Sequence, residues 1–207
     1  MADDCYHTIA REASIETKIK GSRFIGESFL ATSADDAMAK WQVVRKREHA
    51  ATHHCYAWRT GRSTQIEFKY SDDGEPSGTA GKPIYDMICG HDVTDTLVVV
   101  TRYFGGTKLG TGGLARAYGD AARQCLKASG RQEHFLVDHV RVTIEFPLYD
   151  RLVKLMQKHE AKPVQTDYSD VVDCLLSIRQ SRTETFRSEL IELSGGKAAV
   201  DVIKSEN

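Results

Sequence analysis

The chain reads VVVTRYFGGTKLGTGGL from residue 98 to residue 114, and this stretch decides the fold of its first half. The valines and their neighbours predict a buried strand over Thr96 to Arg102. The glycines that follow predict a loop, which leads into a long helix expected over Gly113 to Ala128 and ending at Gly130. Glycine is the residue used where φ is positive or where another group must approach closely.

A second glycine-rich loop lies earlier in the chain. It reads SDDGEPSGTAGKP from residue 71 to residue 83 and leads into a short helix expected over Lys82 to Cys89. The two stretches contain eight of the chain's 16 glycines, more than a packed core requires. Because function gathers on loops that a rigid scaffold holds, we interpret the pair as a binding surface rather than as ordinary turns.

The remaining elements predict an α+β chain of two domains, residues 1–134 and residues 135–207. The first domain is expected to add two strands between Ser14 and Leu30, a helix capped by Ser33, and a hairpin over residues 54–70. The second follows a β-α-β-β-α-β order, which is the ferredoxin-like arrangement. Its elements are expected at Val137 to Phe146, Tyr149 to His159, Lys162 to Ser169, Val171 to Arg179, a helix opened by a capping box at Ser181 to Glu184, and Ala198 to Ile203.

Composition limits the classes of function. The chain has 207 residues, of which 41% are hydrophobic, and its net charge is −1, so no overall basic field attracts nucleic acid. Residues 1–134 carry 18 basic and 17 acidic side chains, and residues 135–207 carry 10 and 12. No run is long enough to cross a membrane, and Met1 to Asp4 lacks the apolar core of a secretory signal. Five scattered cysteines fit free thiols in the cytoplasm.

The second glycine loop is the stronger candidate for an anion site, because it opens a helix whose first N–H groups are free to bind phosphate. It does not have the Walker A spacing. The alternative is a tight strand-to-helix crossover in which the glycines only permit close packing. The candidate contacts to a phosphate of RNA or of a nucleotide are Arg102, Gly105, Gly106, Lys108, Gly110, Thr111, Gly112, Gly113 and Arg116.

Three acids in the first loop, Asp72, Asp73 and Glu75, admit several roles. They can hold a divalent cation, pair with Arg102 or Lys108, or simply form turns. Pairing or turn formation is favoured, so these acids are expected to position the loops, and neither a metal nor a cofactor is predicted. The cluster formed by His49, His53, His54 and Cys55 lacks the ligand spacing of a zinc site. No catalytic residue is assigned.

The quoted loops resemble the IMPACT/YigZ family, whose markers here are SDDGEP with GTAG in the first loop and RYFGG with KLG and GGL in the second. The two-domain layout is also similar to the bacterial form of that family. The resemblance implies an N-terminal fold like the second domain of ribosomal protein S5. It also implies a ferredoxin-like C-terminal domain, similar to a late domain of the translocation elongation factor.

The resemblance further implies a link to translation control through RNA or the ribosome. Eukaryotic IMPACT proteins inhibit activation of a translation-regulating kinase, but they carry an additional RWD domain that this sequence lacks. We therefore expect a cytoplasmic, non-enzymatic binding protein whose partner is RNA, the ribosome or a protein, with no membrane contact. The acidic second half favours a protein partner there. The alternative is an enzyme acting on a phosphate-bearing small molecule or nucleic acid, since small-molecule kinases also use the S5-like fold.

Overall fold

The computed structural model describes residues 4–62 and 65–203. The expectation that concerned a secretory signal therefore falls largely outside the described residues. Within them the chain forms two compact units. One unit is Tyr6–His134, and the other runs from Phe135 onward and includes Asp4 and Cys5. The architecture is mixed α and β, with antiparallel sheets and five α-helices among the described residues.

The N-terminal unit is built on a five-stranded antiparallel sheet. The strands that lie wholly or mostly in this unit are β1 (Cys5–Ile9), β2 (Ala13–Ile19), β3 (Ser22–Leu30), β4 (His53–Thr60), β5 (Glu67–Ser71), β6 (Thr96–Tyr103) and β7 (Arg131–Phe135). The order in the large sheet is β2-β3-β6-β4-β5. Its helices are α1 (Ala34–Arg47), α2 (Gly81–Gly90) and α3 (Thr111–Ser129).

Strand β6 lies at the centre of this sheet and is buried on both faces, as the run of valines predicts. Val98 and Val100 pack into the core that α2 and α3 cover. Leu97 and Val99 pack on the opposite face, against the core that α1 covers. Burying an aliphatic side chain of this size contributes about 1.5 to 3 kcal/mol, so the strand fixes both layers of helices to one sheet.

Two short strands were not predicted. β1 and β7 form a two-stranded sheet of their own, whereas the sequence analysis treated residues 131–136 as a boundary. The reason is that β7 reads RQEHF, a short and mostly polar run with no alternation of apolar residues. Its pairing depends on a partner that lies more than 100 residues earlier in the chain, which local patterns cannot indicate.

The second unit contains a four-stranded antiparallel sheet in the order β11-β8-β10-β9. Alternate residues of β8 and β10 are buried against the two helices, with Val140, Leu152, Leu176 and Phe186 in one core. A 3₁₀ turn at Phe146–Leu148 precedes the first of these helices. The elements are β8 (Val137–Ile144), α4 (Tyr149–His159), β9 (Lys162–Tyr168), β10 (Val172–Arg179), α5 (Gln180–Leu193) and β11 (Ala199–Ile203).

The two predicted helix starts have different outcomes. The Ser33 hydroxyl accepts a hydrogen bond from the Asp36 N–H at 3.2 Å and caps α1, as predicted. The capping box at Ser181 is wrong, because α5 begins one residue earlier and none of the described side chains caps it. The Ser181 hydroxyl instead donates to the Asp4 carboxylate at 2.5 Å. The sequence pattern is present, but the serine is already inside the helix.

Candidate functional site

The two glycine loops belong to neighbouring parts of the N-terminal unit. The first connects β5 to α2 and the second connects β6 to α3. The helices α2 and α3 pack against each other, on the same face of the sheet. Because β5 and β6 each pair antiparallel with β4, they run in the same direction and both loops leave the same end of the sheet.

Asp72 organises the first loop. One of its carboxylate oxygens accepts hydrogen bonds from the N–H groups of Ala80 at 2.9 Å and Gly81 at 2.8 Å. The other oxygen accepts from the Gly78 N–H at 2.9 Å. Because Gly81 is the first residue of α2, the Asp72 carboxylate caps this helix from the far end of the loop and meets the positive end of its dipole.

Asp73 fastens the same loop to strand β4. Its backbone is left-handed, with φ of 41°, a conformation that aspartate tolerates better than most residues. Its carboxylate accepts from the His54 N–H at 2.6 Å, and its carbonyl oxygen lies 2.8 Å from His53 Nδ1. Since a carbonyl oxygen only accepts, His53 carries a proton on Nδ1.

Glu75 and Arg102 form a buried ion pair. Arg102 is only 4% exposed, and its Nη1 donates to Glu75 Oε1 at 2.6 Å. The Tyr118 hydroxyl donates to the same oxygen at 2.8 Å, and His53 Nε2 lies 3.8 Å from it. This is the pairing of a loop acid with Arg102 that the sequence analysis considered as one alternative.

The three acids of the first loop are thus engaged with the protein itself. Asp72 and Asp73 accept backbone N–H groups, and Glu75 accepts from a guanidinium and a phenol. This arrangement is a scaffold that positions the loop, since each carboxylate already has donors at hydrogen-bond distance.

Cys55 lies beside this scaffold as a buried hydrogen-bond donor. Its Sγ donates to the Asp72 carbonyl at 2.9 Å. Burial raises the pKa of the Cys55 thiol far above its ordinary value, and burial likewise raises the pKa of the Tyr118 hydroxyl. Both groups therefore stay protonated at neutral pH. A nucleophilic cysteine needs the opposite shift, toward the thiolate.

The second loop crosses very close to the turn between β2 and β3. A Cβ atom added at Gly105 would overlap the backbone of Gly21 and Ser22. The Gly105 N–H donates to the Ser22 hydroxyl at 3.1 Å, which joins the loop to the turn. Lys20 lies in that turn and is exposed.

Helix α3 begins without a side-chain cap. Its N-cap is Gly110, at φ of 71°, and no side chain of the described residues accepts a hydrogen bond there. Thr111 and Gly112 are exposed, so the first N–H groups of the helix face solvent. The start of α3 therefore presents N–H donors at the positive end of the helix dipole.

The predicted contacts of the second loop fall into two groups. Lys108 and Arg116 are exposed, together with most of the loop glycines, whereas Arg102 is buried behind them in its ion pair. Tyr118 was missed, although a signal existed. A tyrosine on the buried, small-residue face of α3 needs a partner for its hydroxyl, and that partner is Glu75.

Replacing Glu75 with glutamine tests the buried pair. The substitution keeps the size of the side chain but leaves the Arg102 guanidinium buried without a counter-charge. We expect the free energy of unfolding to fall by about 3 kcal/mol, measured by urea denaturation. Glu67→Gln on the neighbouring strand β5 is the matched control, because Glu67 is exposed. Equal losses for the two variants would contradict the role given to the pair.

Two glycines of the second glycine-rich stretch, Gly105 and Gly112, differ in the space around them, so their alanine variants test how tightly the loop is packed. Gly105→Ala is expected to lower the free energy of unfolding by about 2 kcal/mol, because its Cβ overlaps the β2–β3 turn. Gly112→Ala is expected to raise it by about 0.5 kcal/mol, because alanine favours the helix and, apart from the adjoining helix backbone, no described atom lies within 4 Å of a Cβ there. Chemical denaturation measures both. Similar effects at the two positions would show that the crossover is less tight than described.

Comparison with known proteins identifies the domains. The Impact N-terminal domain matches residues 20–126, which include both glycine loops, and a domain of unknown function, DUF1949, matches residues 142–197. An IMPACT family member of Haemophilus influenzae is 33% identical over 91% of this chain and 92% of its own length. The IMPACT family member YigZ of Escherichia coli is 33% identical over 90% of this chain and 92% of its length.

A solved structure agrees with these matches. A crystal structure of a hypothetical protein is 31% identical, covers 99% of this chain and 99% of its own, and superposes with a TM-score of 0.65. The agreement extends over both units of the chain. Together with the two domain matches, it means that this chain belongs to the IMPACT family.

Proposed function

We propose that this chain is a non-enzymatic binding protein that acts in translation by holding an RNA phosphate backbone at the start of α3. The observation that carries the proposal is the uncapped, exposed N-terminus of α3, flanked by the exposed cations Lys108 and Arg116. Free N–H groups at a helix start, with the dipole behind them, bind phosphate well. The link to translation is the role that membership of the IMPACT/YigZ family implies.

The contrast with the other helices of the unit supports this interpretation. The Ser33 hydroxyl caps α1, and the Asp72 carboxylate accepts the first N–H groups of α2. Helix α3 is longer than either, yet the described residues supply no side-chain cap for it. The missing acceptor is what a bound phosphate oxygen supplies.

In this proposal the residues have separate tasks. Lys108 and Arg116 contact phosphate directly, together with the N–H groups of residues 111–113. Arg102 acts from behind, because its charge is neutralised by Glu75 and its side chain is buried. Asp72, Asp73 and Glu75 hold the first loop in place, and the pairing of Glu75 with Arg102 connects that loop to the end of β6, where the second loop begins.

We also propose the finer fold assignments. The β-α-β-β-α-β order of the second unit and its sheet order support a ferredoxin-like domain of residues 135–207. An S5 domain 2-like fold for residues 1–134 is the assignment that the family implies. The start of the second compact unit at Phe135 supports the proposed boundary, while Asp4 and Cys5 cluster with that second unit.

For the second domain we propose a protein partner. The sheet face away from its helices carries Arg141, which lies 3.6 Å from the Asp173 carboxylate, and Asp201 pairs in register beside it. The acids on this face offset the arginine, so it has no basic character that would favour RNA.

We propose that the protein acts in the cytoplasm. Among the described cysteines, Cys55, Cys89, Cys125 and Cys174 are free thiols, which a reducing compartment preserves. None of the helices in the described part of the chain has the length and apolar character to span a bilayer.

A salt series of binding to purified ribosomes and to short RNAs tests the phosphate site. The Lys108→Ala/Arg116→Ala variant is expected to bind more weakly and to reduce the slope of log K against log salt by about 1.4, since each phosphate contact to a single strand contributes about 0.7. The control is Lys46→Ala/Lys127→Ala, which removes two exposed cations from the last turns of α1 and α3. If the two variants behave alike, the loop is not the site.

A single substitution separates the helix terminus from the cations. Gly112→Asp places a carboxylate in the first turn of α3, where space is open and the dipole favours it. The protein is expected to stay as stable as the wild type while RNA binding falls at least tenfold, measured by fluorescence anisotropy. Gly112→Asn has nearly the same shape without the charge, so it is expected to retain most of the binding. Equal losses in both variants would indicate a steric effect and would count against an anion site.

A further inference from the structure

A cavity of about 420 Å³ lies in the N-terminal unit, outside both glycine loops. Its lining comes from β1 and the connection to β2, from the end of β3 and the residues just after it, and from β7. Arg62, which follows β4, and Asp95, which precedes β6, complete it. Residues 6–134 supply all of it, so the cavity belongs to one unit. Neither the family resemblance nor the proposed phosphate site uses any of these residues.

One wall of the cavity is a stack of planar groups. The Arg62 guanidinium lies 4.2 Å from the centre of the Tyr6 ring. The Tyr6 ring in turn stacks on His134, with 5.1 Å between centroids and 20° between planes. Such stacking fixes three polar side chains in one orientation along the wall of the cavity.

The His134 ring is oriented by Thr8. The Thr8 hydroxyl has a single proton, which it donates to the Ile9 carbonyl at 3.1 Å. It therefore accepts the hydrogen bond from His134 Nε2, which lies 3.0 Å away. In the neutral ring Nδ1 is then left as an acceptor. The wall thus has a defined hydrogen-bonding pattern as well as a defined plane.

Arg62 is oriented by Asp95, a buried residue in the left-handed region at φ of 51°. The Asp95 carboxylate accepts from Arg62 Nη2 at 2.8 Å and from the Gly61 N–H at 3.2 Å. The Arg62 Nε atom is buried and has no hydrogen-bond partner among the described residues. Unusual backbone geometry and an unsatisfied buried donor are features that cluster at binding sites.

The remaining lining indicates the chemistry of a ligand. Ile9 and Leu30 supply an apolar surface, and Gln132 supplies an amide with both donors and an acceptor. The formal charges of the lining balance, because it contains Arg11 and Arg62 as well as Glu12 and Asp95. A balanced, partly apolar cavity with a planar wall fits a neutral heteroaromatic ring that both donates and accepts hydrogen bonds at its edge.

We propose that this cavity binds a nucleobase, which extends the stack of Arg62, Tyr6 and His134. The base belongs either to a free nucleoside or to a nucleotide turned out of an RNA strand. Both sources present the same ring, and the cavity is large enough for it. The site does not depend on the phosphate site at α3, since the two share no residue.

The test is a titration of the isotope-labelled full chain with adenosine, guanosine, cytidine and uridine, followed by amide and histidine ring NMR signals. At least one nucleoside is expected to give saturable shifts at Thr8, Leu30 and His134. Tyr6→Leu is expected to weaken this binding about tenfold, as loss of one stacking ring does. Tyr70→Leu is the matched control, because Tyr70 is a partly exposed tyrosine outside the cavity. Absence of saturable shifts with all four nucleosides would overturn the proposal.

Two further variants keep the test decisive. If Tyr6→Leu disturbs the fold, Leu30→Trp fills the cavity from a partly exposed position and is expected to abolish the shifts. Shifts that persist in the filled variant would place the nucleoside elsewhere and refute the site. The Lys108→Ala/Arg116→Ala variant must respond to nucleosides as the wild type does, so failure of the phosphate site is recognised separately. If a short single-stranded RNA shifts the same signals, the base that the cavity binds comes from RNA. If the RNA leaves these signals unchanged, the ligand is a free nucleoside.

Discussion

The ion pair between Glu75 and Arg102 joins three parts of the N-terminal unit that are distant in sequence. Glu75 lies in the first glycine loop, Arg102 lies at the end of the central strand β6, and Tyr118, which donates to the same oxygen, lies on α3. A buried charge is tolerated only when it is paired, so the loop, the strand and the helix must be placed where Glu75, Arg102 and Tyr118 can reach one another. The geometry of both loops follows from that requirement.

The same pair decides which charges remain for a partner. Arg102, which follows the valine run, is neutralised inside the protein by Glu75, and the carboxylates of Asp72 and Asp73 are occupied by backbone N–H groups. What reaches the surface is a helix terminus without a side-chain cap among the described residues, together with two exposed cations, Lys108 and Arg116. A surface of this kind favours a diffuse anion over a metal ion, because it offers donors and almost no acceptors.

Sequence patterns predicted the elements well where the pattern was local. The buried strand β6, the cap at Ser33 and helix α4 follow from apolar runs, side-chain chemistry and periodicity, and the IMPACT family follows from the two loop motifs. The pairing of β1 with β7 was missed because it joins the two ends of the unit. The capping box predicted at Ser181 was wrong because α5 begins at Gln180, so Ser181 lies in the first turn of the helix and not at its N-cap.

In the site, the burial of Arg102 was not foreseen, because this burial depends on Tyr118 and Ser22, which are remote in sequence, rather than on the residues next to Arg102. The role of the loop in binding an anion stays a prediction.

The close approach of Gly105 to Gly21 has a consequence for how the second loop meets a ligand. Backbone in contact with backbone leaves no room for either segment to move alone, and the Gly105 N–H is also held by Ser22. A loop restrained in this way has lost its conformational freedom during folding, so little remains to be lost on association. Complex formation at such a surface is then controlled by desolvation and by counter-ion exchange rather than by ordering, and its heat capacity change should be that of a rigid-body encounter.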